Sequence, residues 1–201
     1  MNIFKRKFQY YLHVIFNIFI RIISTYIAKL KFFYWNVDFG EKFRIQGRIK
    51  LVNMNSITVA KNVRMISGFG NFVGGEMCLS LYCGQNGRIV IGENTGISNA
   101  VIIAQEKITI GKNVFIGGGS RIYDNDFHPH RSIDRLKDGE QIIPTKSIEI
   151  GDNVFIGGHT IILKGTIIGE GSIIGAGSIV SGTVPPYQVW AGNPAKMLRE
   201  I

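Results

Sequence analysis

Cysteine is scarce in this 201-residue chain. Its two residues, Cys78 and Cys83, supply neither a disulfide framework nor a CxxC metal-ligand pair. Reduced thiols in a cytosolic protein are the expectation that follows. No GxGxxG-type strand–loop–helix occurs, so no dinucleotide-binding domain is expected. Acidic residues are missing where basic ones gather. Residues 1–50 hold ten Lys/Arg against two Asp/Glu, while the other 151 hold thirteen against twelve. A nucleic-acid binder would carry its basic surface on the folded body, so none is expected as a partner. The imbalance points to whatever the N-terminus touches. Glycine, at 25 residues, is too scattered for collagen, and 45% hydrophobic content argues against disorder. One domain, or one domain with an appendage, suits the length.

Glycine and proline are also absent from Lys5 to Trp35, and this stretch reads as a helix. Gln9, His13, Asn17, Arg21, Thr25 and Lys29 recur every four residues, forming one narrow polar stripe on an otherwise apolar cylinder. A signal peptide would need a small-residue cleavage site, which does not follow. A spanning helix would need about 20 apolar residues, and the run from Phe8 to Ile20 ends at Arg21. Two readings stay open. Residues 1–35 could lie in a membrane interface, with Lys5, Arg6, Lys7, Lys29 and Lys31 meeting anionic headgroups, or pack on the body or on a partner subunit. The first would put the protein in the cytoplasm, at the inner face of the cytoplasmic membrane.

Internal repetition is the strongest signal. Ile150, Ile156, Ile162, Ile168, Ile174 and Val180 follow at intervals of six; so do Ile110, Ile116 and Ile122, and Ile91, Ile97 and Ile103. A period of six fits neither helix nor simple strand alternation, but suits a short β-branched strand followed by a tight corner. The corners "AKN", "GEN", "GKN" and "GDN" place Asn where a left-handed backbone is needed. Three such faces close a triangular coil, and stacked coils make a parallel β-solenoid. Residues 43–184 hold it, 1–42 form the N-terminal segment and 185–201 a cap. Residues 123–147, containing "IYDNDFHPHR", break the rhythm.

The run "IEIGDNVFIGGHTIILKGTIIGEGSIIGAGSIV" and the ending "VPPYQVWAGNPAKMLRE" resemble the hexapeptide-repeat acyltransferases, within them the sugar, capsule and lipopolysaccharide O-acetyltransferases. The resemblance implies a left-handed parallel β-helix with an N-terminal α-helix and a short C-terminal helix. It also implies a homotrimer and acetyl-coenzyme A as donor, with no metal. In such enzymes an external loop carries a catalytic histidine into the cleft between subunits, and "FHP" marks His128 as that residue. Pro129 biases His128 towards an extended backbone.

Acyl transfer to a sugar hydroxyl needs a base for a poorly acidic nucleophile, and imidazole serves. Asp124 and Asp126 are near enough in sequence to orient the His128 ring or the acceptor. His130 is expected as a loop residue or acceptor neighbour, and His159 as a corner side chain. By resemblance, Asn99 contacts the acceptor, and Phe155 stands where the related enzymes carry tryptophan. Gly158, Ala176 and Ser181 on the coil edges, with Lys196 and Arg199 beyond the cap, match coenzyme A positions; a solvated C-terminal turn is the plainer reading of the two cations. Competing functions are an N-acetyltransferase of a nucleotide-linked amino sugar and a γ-carbonic-anhydrase-like metalloenzyme, which would need three converging histidines.

Overall fold

In a computed structural model, residues 3–68, 71, 78–137 and 142–201 are described. After a helix at Ile3–Tyr34, short strands follow one another around three parallel sheets. The first sheet runs from Asp38–Phe39 through Ser56–Val59, Arg88–Ile91, Ile108–Ile110, Ile148–Ile150 and Ile167–Ile168 to Thr183–Val184. The second starts at Arg44–Gln46 and the third at Ile49–Asn53, each taking one strand per coil. Parallel pairs such as Ile150↔Ile168, Ile156↔Ile174 and Ile162↔Val180 stack equivalent residues directly above one another.

One residue per face therefore fills the axis. Ile150, Ile156, Ile162, Ile168, Ile174 and Val180 are all at most 2% exposed, as are Ile110, Ile116 and Ile122. The earliest of the hexad series slips. Ile102, not Ile103, is buried beside Ile97, because the corner at Ser98–Ala100 is one residue short. On the edge between first and second sheets, Asn62, Asn94, Asn113 and Asn153 all adopt positive φ, between 56° and 60°. Their amides form a ladder: Asn62 Nδ2 donates to Asn94 Oδ1 (2.8 Å), Asn94 to Asn113 (3.0 Å), and Asn113 to Asn153 (3.0 Å). Asparagine thus serves both the corner conformation and the bond to the next coil.

The two ends of the prism are closed differently. The helix lies over the open edge of the first coil. Thr25 Oγ1 accepts from Ile45 N–H and donates to Ile45 C=O, both at 3.0 Å; Ser24 Oγ accepts Gly47 N–H (3.1 Å), and Lys31 Nζ reaches the Ile49 carbonyl (2.9 Å). Ala28 and Phe32 are buried, the latter stacked on Phe43 with centroids 4.9 Å apart. An unpaired β edge invites aggregation, and a covering helix removes that hazard. Of the polar stripe, Asn17 and Thr25 face the body, Asn17 accepting from Gln46 Nε2 at 3.2 Å. At the far end the expected short helix is a hairpin instead. Gln188–Gly192 pairs antiparallel with Ala195–Glu200, which covers the last open edge of the second sheet with backbone bonds a helix could not offer.

Candidate active site

The interrupting loop leaves the third sheet after Tyr123 and rejoins the first at Ile148. Its neck is tied shut. Lys146 N–H donates to the Asp124 carbonyl (2.9 Å), Asp126 N–H to that of Pro144 (3.3 Å), and Asn125 bridges to Thr145. Ser147 donates from its hydroxyl (2.6 Å) and its backbone N–H (3.2 Å) to Glu106. Hydrogen bonds from the Ser147 and Thr145 side chains hold the Glu106 carboxyl below the usual carboxylate range.

Asp124 is fully buried in this neck, and its carboxylate accepts the backbone N–H groups of Gln105 and Glu106, each at 2.8 Å. It fastens the loop to the preceding coil. Asp126 turns the other way, to Lys164 Nζ at 2.7 Å and His130 Nε2 at 2.5 Å. The hydrogen bond from Lys164 chiefly pulls the Asp126 carboxyl below its ordinary range; burial opposes it, and His130 adds a weaker downward pull. Neither aspartate orients the His128 ring, contrary to the expectation from sequence. Strand alternation turns Asp124 inward next to Tyr123, and the nearer cation captures Asp126.

The residues beside His128 are nonetheless fixed. Phe127 sits at φ 62°, a conformation costing about 1–3 kcal/mol for a bulky residue. It is held there by its N–H to Asn125 Oδ1 (2.9 Å) and by edge-on contact with Tyr123, centroids 5.0 Å apart. His128 N–H donates to the Asp126 carbonyl at 2.7 Å, and Pro129 is buried beneath. The imidazole itself is exposed, and among the described residues it has no hydrogen-bond partner in this protomer. A strained, pinned backbone carrying a free imidazole suits a proton-transfer group.

The sequence-matched coenzyme positions divide between two edges. Gly158 and Ala176 stack on the edge between second and third sheets, with Gly177 N–H donating to the Gly158 carbonyl at 2.9 Å. Gly158 stands where a Cβ would meet the Gly118 carbonyl oxygen at 3.0 Å. His159 turns this corner at φ 59°. Ser181 belongs to the next edge, the one that extrudes the loop, in the coil above Lys164. Lys196 and Arg199 are exposed on the C-terminal strand, opposite Ala191 and Val189. The Gly192 N–H binds Ser178 Oγ (3.1 Å), so the hairpin turn closes over the Gly158–Ala176 edge.

Asn99 is a correction. It is fully buried at a φ of 38°, its Oδ1 accepting Gly68 N–H at 2.7 Å, which leaves no face for an acceptor in this protomer. Phe155 is half-exposed on the outer face of the second sheet, paired in register with an equally exposed Phe115. Among the described residues, no three His, Cys, Asp or Glu side chains gather as a metal site. Sequence reasoning missed Lys164, a long cation in the corner "LKGT". It also missed Glu106, for which no local signal exists, since its partner lies 41 residues on.

Two family models match. "Bacterial transferase hexapeptide (six repeats)" fits residues 147–182, and "Hexapeptide repeat of succinyl-transferase" fits 107–122. The Saccharomyces cerevisiae protein YJL218W, whose name assigns it provisionally to the acetyltransferases, is 36% identical over 168 residues, 80% of this chain and 83% of that one. The chain belongs to the hexapeptide-repeat acetyltransferases. As a member it is an acyltransferase, and its prism is the left-handed parallel β-helix of the family. The hexapeptide-repeat acetyltransferase VCA0836 of Vibrio cholerae is 36% identical with a TM-score of 0.52, over 58% of this chain and 64% of that one. A galactoside acetyltransferase solved with coenzyme A is 38% identical with a TM-score of 0.50, over 56% of this chain and 55% of that one. This acetyltransferase thus spans less than two thirds of either solved relative.

Proposed function

We propose that the protein transfers an acetyl group from acetyl-coenzyme A directly to a sugar hydroxyl of a cell-envelope glycan, capsule or lipopolysaccharide, or of its precursor. His128 is the general base. The observation that carries this reading is the tied loop neck, with a strained residue before His128 and an exposed imidazole that has no hydrogen-bond partner among the described residues. The likeness to a galactoside acetyltransferase that binds coenzyme A supports both the donor and a sugar acceptor.

In this reading the protein is a homotrimer, and the His128 ring reaches the edge of a neighbouring subunit. There it takes the hydroxyl proton as the oxygen attacks the thioester carbonyl. The carbon–sulfur bond then breaks, and the imidazolium returns the proton to the leaving thiolate. Base help of this kind is worth about 10²–10⁴-fold. Backbone N–H groups are the available donors for the oxyanion. Small residues at Gly158, Ala176 and Ser181 let the pantetheine arm lie against backbone, and Lys196 and Arg199 meet its phosphates. His130, held by Asp126, borders the acceptor, and Phe155 offers an apolar wall.

Coenzyme A release measured against a panel of envelope glycans tests the proposal. An acceptor-dependent release with an alkali-labile ester product and sequential kinetics is expected. An alkali-stable amide product would favour the amino-sugar reading, and no acceptor dependence on any glycan would sink the proposal.

A further inference from the structure

The N-terminal helix presents two opposed faces that the sequence alone does not separate. At 100° per residue, Asn17, Ser24, Thr25, Ala28, Lys31 and Phe32 cluster on one side, and these are the residues bound to the first coil. The opposite side carries Phe8, Leu12, Ile15, Phe19, Ile22 and Tyr26, spaced 4-3-4-3-4 and between 50% and 65% exposed. The stripe continues past Leu30 to Phe33, about 37 Å in all, with Lys29 at its margin. An apolar surface of this extent marks an interaction site.

Its direction follows from what the helix covers. The strands Arg44–Gln46 and Ile49–Asn53 each have one paired neighbour, and the helix lies on the other, open edge. The stripe therefore faces away from the prism, along its axis, and not towards the flank where neighbouring prisms would meet. Residues 1–50 carry ten cations against two acids, while the rest of the chain is nearly balanced.

We infer that this face docks on an anionic lipid bilayer, the helix lying flat in the interface with its stripe among the acyl chains. A spanning orientation is incompatible with the structure, although 6–34 is long and apolar enough to cross. Residues 17–35 are fastened to a polar β edge that cannot enter hydrocarbon. In an assembly whose axis parallels the prisms, every copy presents its stripe to the same plane, so binding strengthens with each protomer. This inference is independent of the acceptor proposed above.

Co-sedimentation of the full chain with vesicles of phosphatidylcholine plus phosphatidylglycerol, against phosphatidylcholine alone, tests it. Binding to the anionic vesicles and a clear preference over the neutral ones are expected. The double variant Phe19→Glu/Ile22→Glu should lower partitioning at least about a hundred-fold, with unchanged far-ultraviolet circular dichroism and oligomeric mass. Lys29→Gln, at the stripe's margin, should weaken binding to anionic vesicles only. No vesicle binding, or equal binding to both vesicle types, would overturn the inference. So would a double variant that changes oligomeric mass while binding lipid normally, since the stripe would then be a contact between copies.

Discussion

Replacing Asp124 by alanine separates a structural role from a catalytic one. The side chain is fully buried and accepts two backbone N–H groups, from Gln105 and Glu106 at 2.8 Å. Truncation removes two part-buried hydrogen bonds to a charged acceptor, at about 1.5–3 kcal/mol each. It also leaves a small void and loosens Asn125, whose Nδ2 lies 3.3 Å from the same carboxylate. A loss of about 3 kcal/mol follows, or roughly 6–12 °C in melting temperature for a chain of this size. Denaturant unfolding and thermal melting give the loss, and acetyl-coenzyme A turnover at low temperature gives the activity of what remains folded. The expected pattern is a large drop in stability with activity reduced only as far as the loop has loosened. A variant with wild-type melting but turnover lowered a hundred-fold would refute the reasoning and make Asp124 a partner in the chemistry.

Further outcomes follow from the same geometry. The carboxyl of Asp126 is depressed, chiefly by Lys164, so its contribution is fully present above the ordinary aspartate range near pH 4 and is lost as pH falls through its lowered value. The stability gap between wild type and Asp126→Asn should accordingly be constant from about pH 5 upward and close below pH 4; a gap that opens only near neutral pH would contradict the assignment. Asn113→Ala removes two rungs of the amide ladder and puts a Cβ-bearing residue without a local polar group at φ 56°. A loss of about 1–3 kcal/mol in denaturant unfolding is expected, and Asn113→Gly should restore part of it.

The fold was legible because burial in a triangular coil imposes one rule on every sixth residue, and isoleucine obeys it visibly. Where a corner shortens, as at Asn99, the rule is locally false, and no residue type announces that. The positive-φ asparagines were legible as corners but not as a ladder, since the rungs join residues 19 to 40 positions apart. The helix was legible by its lack of breakers and its stripe. Which face docks was not, because an apolar face can be covered by the body or left for another surface, and only the partner strands decide. The loop stood out because it interrupts the repeat, and His128 was singled out within it by the resemblance that "FHP" carries. The two aspartates did not sort themselves, since their partners, the Gln105 and Glu106 amides and Lys164, are distant in sequence. The cap was misjudged as helical because its role as an edge cover depends on the open strand beside it.

Paired kinetics of His128→Ala and His130→Ala on the best acceptor, with folding and assembly verified, test the account at its centre. Loss of the imidazole at 128 should lower kcat/KM by about 10²–10⁴-fold, with little change in acetyl-coenzyme A affinity, while the alanine at 130 should act chiefly on the acceptor KM. Near-normal turnover by His128→Ala, or the larger loss in His130→Ala, would place the base on the imidazole that Asp126 holds and contradict the account.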